Sequence, residues 1–286
     1  MFKKLFLIVS LAFTGLAVAA EVPVLVINHA PKGSPITTFA KTYQEGVPNS
    51  EFYQASNCED AKKKFLDTPN AIFVYDADVG VAARLKNMNC EPDHLTKETL
   101  IASTRTYLNF CTSGTKPVAW DGQTKTSLFG KKTIGMASVI LAPNTIRDFT
   151  ISGIDVKGIP YSGSSTTAAA VIAGDVDFGL IIVGASKPGM SSGQLKCTHT
   201  TDPASPNYLG KAFPKMTFPN NNVWMDIYTR SADPALKEKA LAGAKSEVFQ
   251  SFLKSQSYVD TKIGQHTDED IKAWNAWLNK LQEQWN

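Results

Sequence analysis

The chain is poor in the groups that most chemistry needs. Its 286 residues include 4 histidines and 4 cysteines, and no two cysteines stand at the C-x-x-C spacing of zinc or redox sites. His29, His94, His199 and His266 are scattered. Cys197 and His199 would share one face of a strand, but no second ligand pair lies near them, so packed or solvated histidines are expected and no metal or cofactor is expected. Charge of one sign is also lacking. Lys and Arg number 29 against 26 for Asp and Glu, a net charge of +3. Without Lys3 and Lys4 in the leader, about +1 remains. No Lys/Arg cluster is interleaved with aromatics, which excludes a nucleic-acid partner. Internal repeats and low-complexity tails are absent too.

Catalytic signatures fail on context. Gly130-Lys131-Lys132-Thr133 lacks the glycine-rich half of a phosphate loop. Gly189-Met190-Ser191-Ser192-Gly193 has the G-x-S-x-G spacing of hydrolases, whose serine sits between a strand and a helix. Here Pro188 precedes it and a strand follows, so a turn is expected. Asp175 and Asp177 flank Val176 in a turn after a helix and lack a partner for acid/base work.

The first twenty residues carry the compartment signal. Lys3 and Lys4 precede an apolar run from Leu5 to about Leu16, then the small residues Ala17, Ala19 and Ala20. That order marks a secretory signal peptide over residues 1–20, too short for a stable bilayer span. No later run is apolar enough to cross a membrane. Export to the periplasm follows as the expectation, with roughly 265 residues left to form one large or two ordinary domains. In an exported chain the even cysteine count favours disulfides, with three pairings possible. Cys58 and Cys90 flank one helix–strand–helix unit, while Cys111 and Cys197 both lie in strand-like runs. Those two pairs are the expected ones.

The remainder alternates strands with short helices, which predicts a mostly parallel α/β architecture. Strands are expected at Val22–Ala30, Ala71–Tyr75, within Thr99–Thr112, at Lys132–Ala137, Leu195–Thr200 and Val223–Thr229. Helices are expected at Ile36–Val47, Cys58–Leu66, Val79–Asn87 and near Asn144–Ile151. A helix capped by Asp233 presents Leu236, Ala240, Val248, Phe249, Phe252 and Leu253. A last helix from about Thr267 presents Ile271, Trp274, Leu278, Leu281 and Trp285 as packing anchors. Ser113–Phe129 looks like a crossover, and Ser205–Asn222 is irregular.

The most informative stretch is Gly158–Val183, GIPYSGSSTTAAAVIAGDVDFGLIIV. It predicts strand, polar turn, short helix, tight turn, strand. Three serines and a glycine sit where the helix begins, and a helix start offers backbone N–H groups and the positive dipole end to an anion.

From Gly130 onward the motifs GKKTIGMAS, GIDVKGIPYSGSSTTAAAVIAGDVDFGL, GQLKCTHTTDP, VWMDIYTRSADPALKEKAL and YVDTKIGQHTDEDIKAWNAWL follow one another. APKGSPITTFAK and ETLIASTRTYLNF precede them. In this order the chain resembles the extracytoplasmic solute receptors of tripartite tricarboxylate transporters over nearly its whole length. The resemblance implies a two-lobed type II periplasmic binding protein, a Venus-flytrap. It would be a monomer, with lobe 1 formed by 21–120 plus 225–286 and lobe 2 by 121–224. It implies a non-catalytic receptor for a small organic anion, a carboxylate, delivered to integral membrane permease subunits. Ala30, Gly33, Ser34, Asp76, Ala77 and Asp78 would line the cleft from lobe 1. Ala137, Ser138, Tyr161, Ser162, Gly163, Ser164 and Ser165 would line it from lobe 2. The chain has Ser34 and Thr37 where the family's first loop carries Gly and Asp, and Lys41 as the following basic residue. It has no acid near Val183–Gly184, where the family commonly has Asp. Two other readings are a binding protein of an ABC-type importer for an amino acid or oxyanion, and a secreted hydrolase using Ser191.

Overall fold

The structure is a computed structural model, described for residues 21–30, 32, 34–76, 90, 96–117, 132–137, 146, 149–150, 152, 156–214 and 223–285. The leader, the expected helix Val79–Asn87 and most of the segments 113–129 and 144–151 lie outside the described residues.

Two series, each with its first strand between the other two, organise the chain. In the first, β1 (Val24–Asn28), α1 (Pro35–Glu45), β2 (Ser50–Gln54), α2 (Cys58–Asp67) and β3 (Ala71–Asp76) follow in order. Both β2 and β3 pair with β1 in parallel, placing β1 between them. The second has β6 (Lys132–Met136), β7 (Val156–Pro160), α3 (Ser164–Ala173) and β8 (Phe178–Ile182). Here β7 and β8 flank β6, again in parallel. Each series therefore has a point where successive connections leave toward opposite sides, and ligands of such sheets sit at the carboxyl ends there.

The remaining strands are antiparallel, so both sheets are mixed. β4 (Leu100–Thr106), β10 (Val223–Thr229) and β11 (Val259–Ile263) complete a six-stranded sheet in the order β11-β4-β10-β3-β1-β2. β5 (Leu108–Ser113) and β9 (Leu195–Thr200) complete a five-stranded sheet, β7-β6-β8-β5-β9. Only Tyr107 separates β4 in one sheet from β5 in the other. Its carbonyl accepts from the Val183 N–H at 3.0 Å, and its ring lies 5.6 Å from the Arg105 guanidinium, which also covers Trp224.

Four elements differ from the sequence expectation. β2 and β11 are edge strands with half-exposed, polar-rich sequences, SEFYQ and VDTKI, that give no apolar run. α4 (Val183–Ser191) continues directly from β8, so the G-x-S-x-G spacing lies at a helix end rather than in a turn between Pro188 and β9. The helix after Asp233 is two, α6 (Pro234–Lys245) and α7 (Glu247–Ser255). Ser246 is extended between them. Its hydroxyl donates to the Gly243 carbonyl at 2.8 Å and accepts the Phe249 N–H at 3.3 Å, ending one helix and capping the next. A four-residue turn of helix, α5 (Leu209–Ala212), precedes β10, and α8 (Asp268–Trp285) closes the chain.

One face of the six-stranded sheet packs Phe39 and Tyr43 of α1 on Phe249 of α7, with Phe39 and Phe249 edge to face at 5.0 Å. This apolar cluster continues into the second sheet through Phe110, Ile134 and Phe178. The other face holds Ile27, Phe65, Phe73, Tyr75 and Tyr228, with Ile271 and Trp274 of α8 packed on them. Trp274 also donates its indole N–H to the buried Asp226 carboxylate at 2.9 Å. The cysteines pair as expected, Cys58 with Cys90 and Cys111 with Cys197.

Candidate functional site: a cleft between two helix starts

The first wall is the connection from β1 to α1. Asn28 at the end of β1 is fully buried, and its amide locks the next turn. Its Oδ1 accepts the Ala30 N–H at 3.2 Å, and its Nδ2 donates to the Ala30 carbonyl, Thr37 Oγ1 and Gln54 Oε1. Gln54 Nε2 donates to the same Ala30 carbonyl at 2.6 Å. Ser34 then starts the helix: its Oγ accepts the Thr37 N–H at 3.2 Å, and Pro35 occupies the first turn, where a missing N–H costs no helix bond. Asp76, buried at the end of β3, lies beside this wall. Its backbone N–H donates to His29 Nε2 at 2.8 Å. Burial alone lowers the His29 pKa to about 4, so the ring is neutral at pH 7.

The second wall is the connection from β7 to α3, beside the half-buried Ala137 at the end of β6. The Tyr161 N–H donates to the Met136 carbonyl at 2.8 Å, tying the turn to that strand end. Gly163 is the helix cap, and Thr166 replaces the side chain that glycine lacks. Thr166 Oγ1 accepts the Gly163 N–H at 3.1 Å and donates to the Gly163 carbonyl at 2.7 Å. The serines divide their work. Ser164 is buried, and its Oγ accepts the Ile182 N–H at 3.3 Å, joining the helix start to the end of β8. Ser162 and Ser165 are exposed, with Ser162 Oγ 3.4 Å from Thr166 Oγ1.

The two walls meet. A Cβ placed on Gly163 would lie 3.6 Å from Pro35 Cδ and 3.9 Å from Ser34 Cα. The starts of α1 and α3 therefore face one another from different sheets, each carrying about half a positive charge at its end. This arrangement can hold an anion by N–H and O–H donation.

Ala30, Ser34, Tyr161, Ser162, Gly163, Ser164 and Ser165 thus lie on the two connections, with Asp76 at the end of β3 and Ala137 after β6 beside them. Gly33, Ala77, Asp78 and Ser138 lie outside the described residues. Lys41, on α1, has its ammonium 5.6 Å from the Phe52 ring centre on β2. Asn28, His29, Gln54 and Thr166 were not among the expected site residues. Only Thr166 left a sequence signal, the three-residue spacing from the helix cap that marks a capping box. Among the described residues no cluster of three or more His, Cys, Asp or Glu is arranged to hold a metal ion.

No family model and no curated protein matches the sequence. Solved structures do match its fold. MatC from Rhodopseudomonas palustris with bound malate is 13% identical, with a TM-score of 0.67 over 92% of this chain and 99% of that one. The periplasmic binding protein BugD is 13% identical, with a TM-score of 0.68 over 91% of this chain and 95% of that one. A second Rhodopseudomonas palustris protein, with adipate, is 13% identical with a TM-score of 0.65, covering 92% and 95%. Two mixed sheets with their helices, joined at Tyr107 and matched by these structures over 91–92% of the chain, give it the two-lobed fold of type II periplasmic binding proteins.

Proposed function

We propose that the chain is an extracytoplasmic receptor that captures a small organic carboxylate between its lobes and delivers it to membrane permease subunits. The observation that carries this reading is the approach of Gly163 to Ser34 and Pro35, which brings two helix starts to one cleft. Each charge-assisted bond from an N–H or hydroxyl to a carboxylate contributes about 1.5–3 kcal/mol. Four such bonds give about 6–12 kcal/mol, a range that spans the roughly 8 kcal/mol of micromolar affinity. The malate and adipate in the two Rhodopseudomonas palustris structures support a carboxylate of this size. Catalysis is not part of the proposal. Ser191 ends α4 and lacks the strand–serine–helix setting of a hydrolase nucleophile. The first lobe boundary is proposed at Tyr107, because β5 already pairs with β8 and β9 of the second sheet.

The test is thermal denaturation of the mature protein, residues 21–286, against a panel of mono-, di- and tricarboxylates, amino acids, oxyanions and sugars. Stabilisation by a carboxylate is the expected result. Stabilisation by only an amine or a sugar would overturn the ligand class.

A further inference from the structure

The parallel ladder between β1 and β3 ends at the pair Asn28 and Val74. Asp76 lies past that end of the β1 ladder, while on its other side it still pairs with Met225 of β10. His29 fills the gap. Its ring is 4% exposed, with ring centres 5.9 Å from Phe73 and 5.4 Å from Tyr75, and its Nε2 accepts the Asp76 N–H at 2.8 Å. An acceptor at Nε2 requires the proton on Nδ1. A buried N–H without a partner is costly, so the ring replaces a ladder acceptor where the backbone can no longer supply one. The neighbouring Asn28 does the same for Ala30 on the other side of the loop.

We propose that His29 is the positioning residue of the cleft: its imidazole holds the end of β3 against the β1 connection and so sets where Ala30 and Ser34 meet the ligand. The inference deepens, and rests on, the receptor reading above. Among the described residues, Asp76 and Tyr75 of β3 are titratable groups in contact with the ring. Burial keeps the ring neutral, and therefore an acceptor, through neutral pH.

The experiment has a ligand-free arm and a binding arm. Nitrogen-15 NMR of the imidazoles should show His29 as the Nδ1–H tautomer at pH 7, with a slowly exchanging Asp76 amide. His29→Phe keeps the ring volume and removes the acceptor, so Asp76 exchange should rise about ten-fold or more. In His29→Gln the side-chain carbonyl restores an acceptor, and most of the protection should return. An Nε2–H tautomer, or unchanged Asp76 exchange in a folded His29→Phe protein, would overturn the proposal. With malate and adipate as probes, His29→Phe should weaken binding about ten-fold, with recovery in His29→Gln. Equal affinity of wild type and His29→Phe would also overturn it. Failure of the wild type to bind any carboxylate would overturn the receptor reading, while the amide arm still decides the role of His29. If His29→Phe does not fold, the tautomer and His29→Gln exchange decide alone: the Nδ1–H form with Asp76 protection kept in His29→Gln supports the role, and loss of either overturns it.

Discussion

Gly163 and Ser34 cap helices that follow strands of different sheets, yet a Cβ on the glycine would come within 3.9 Å of the serine Cα. That is ordinary van der Waals separation, with room for a methyl group and little more. Gly163→Ala should therefore bind carboxylate much as the wild type does. Gly163→Leu should wedge the lobes apart and weaken binding about ten-fold or more. Calorimetric titration gives the affinities, and small-angle scattering should report a larger radius of gyration for the leucine variant with ligand present.

The serines of the second wall are separable. Ser164→Ala removes the acceptor for the Ile182 N–H and should cost about 1–3 kcal/mol of stability, a fall in Tm of roughly 2–8 °C at this chain length. Ser162 is exposed, so Ser162→Ala should change stability by less than about 0.5 kcal/mol and act on ligand affinity alone. Melting curves with and without ligand distinguish the two.

Ser34→Ala tests the first wall. Losing the cap on the Thr37 N–H should cost about 1 kcal/mol of stability, and Ser34→Asp should recover most of it. The aspartate should nonetheless weaken carboxylate binding, because it places a like charge at the helix start. If both variants bind carboxylate as tightly as wild type, Ser34 has no part in the cleft.

Two buried groups titrate in opposite senses. Burial lowers the His29 pKa from 6.5 to about 4, so the native state binds fewer protons than the unfolded chain between those values. Its contribution is present above pH 6.5 and is lost as pH falls toward 4, a change of roughly 3 kcal/mol. Burial raises the Asp226 pKa from 3.8 to about 7, opposed by hydrogen bonds from Tyr228 and Trp274 and reinforced by the charge of Asp76. Its contribution is present below pH 3.8 and is lost as pH rises through 7, by roughly 4 kcal/mol. The two slopes largely cancel between pH 4 and 6.5. Relative to wild type, His29→Gln should therefore lose stability as pH rises across this range, and Asp226→Asn should gain it. Urea denaturation at pH 4.5, 5.5 and 6.5 checks both signs.

Elements with an apolar core-facing pattern were legible. The stretch VLVIN of β1, AIFVYD of β3 and FGLII of β8 are buried runs bounded by polar turns. The GSS turn before α3 announced a helix start, and the structure places it against the other wall. The elements that escaped notice depend on their surroundings. α4 contains two glycines and Pro188 in VGASKPGMS, a poor helix former by itself. It is held from outside, with the Val183 N–H on the Tyr107 carbonyl and the Ser186 hydroxyl accepting from Asn109 at 2.9 Å. His29 escaped because a lone histidine after a strand is most often simply packed. Its role depends on Asp76, 47 residues away, and no local pattern encodes that meeting.

The disulfides join the first cysteine to the second and the third to the fourth, across separations of 32 and 86 residues. A chain threading amino end first into an oxidising compartment would present Cys58 and Cys90 together before Cys111 arrives. Oxidation in order of emergence then yields the native pairs directly, and no wrong bond has to be broken by an isomerase. Maturation of this protein should accordingly depend on a thiol oxidant and be indifferent to loss of disulfide isomerase activity.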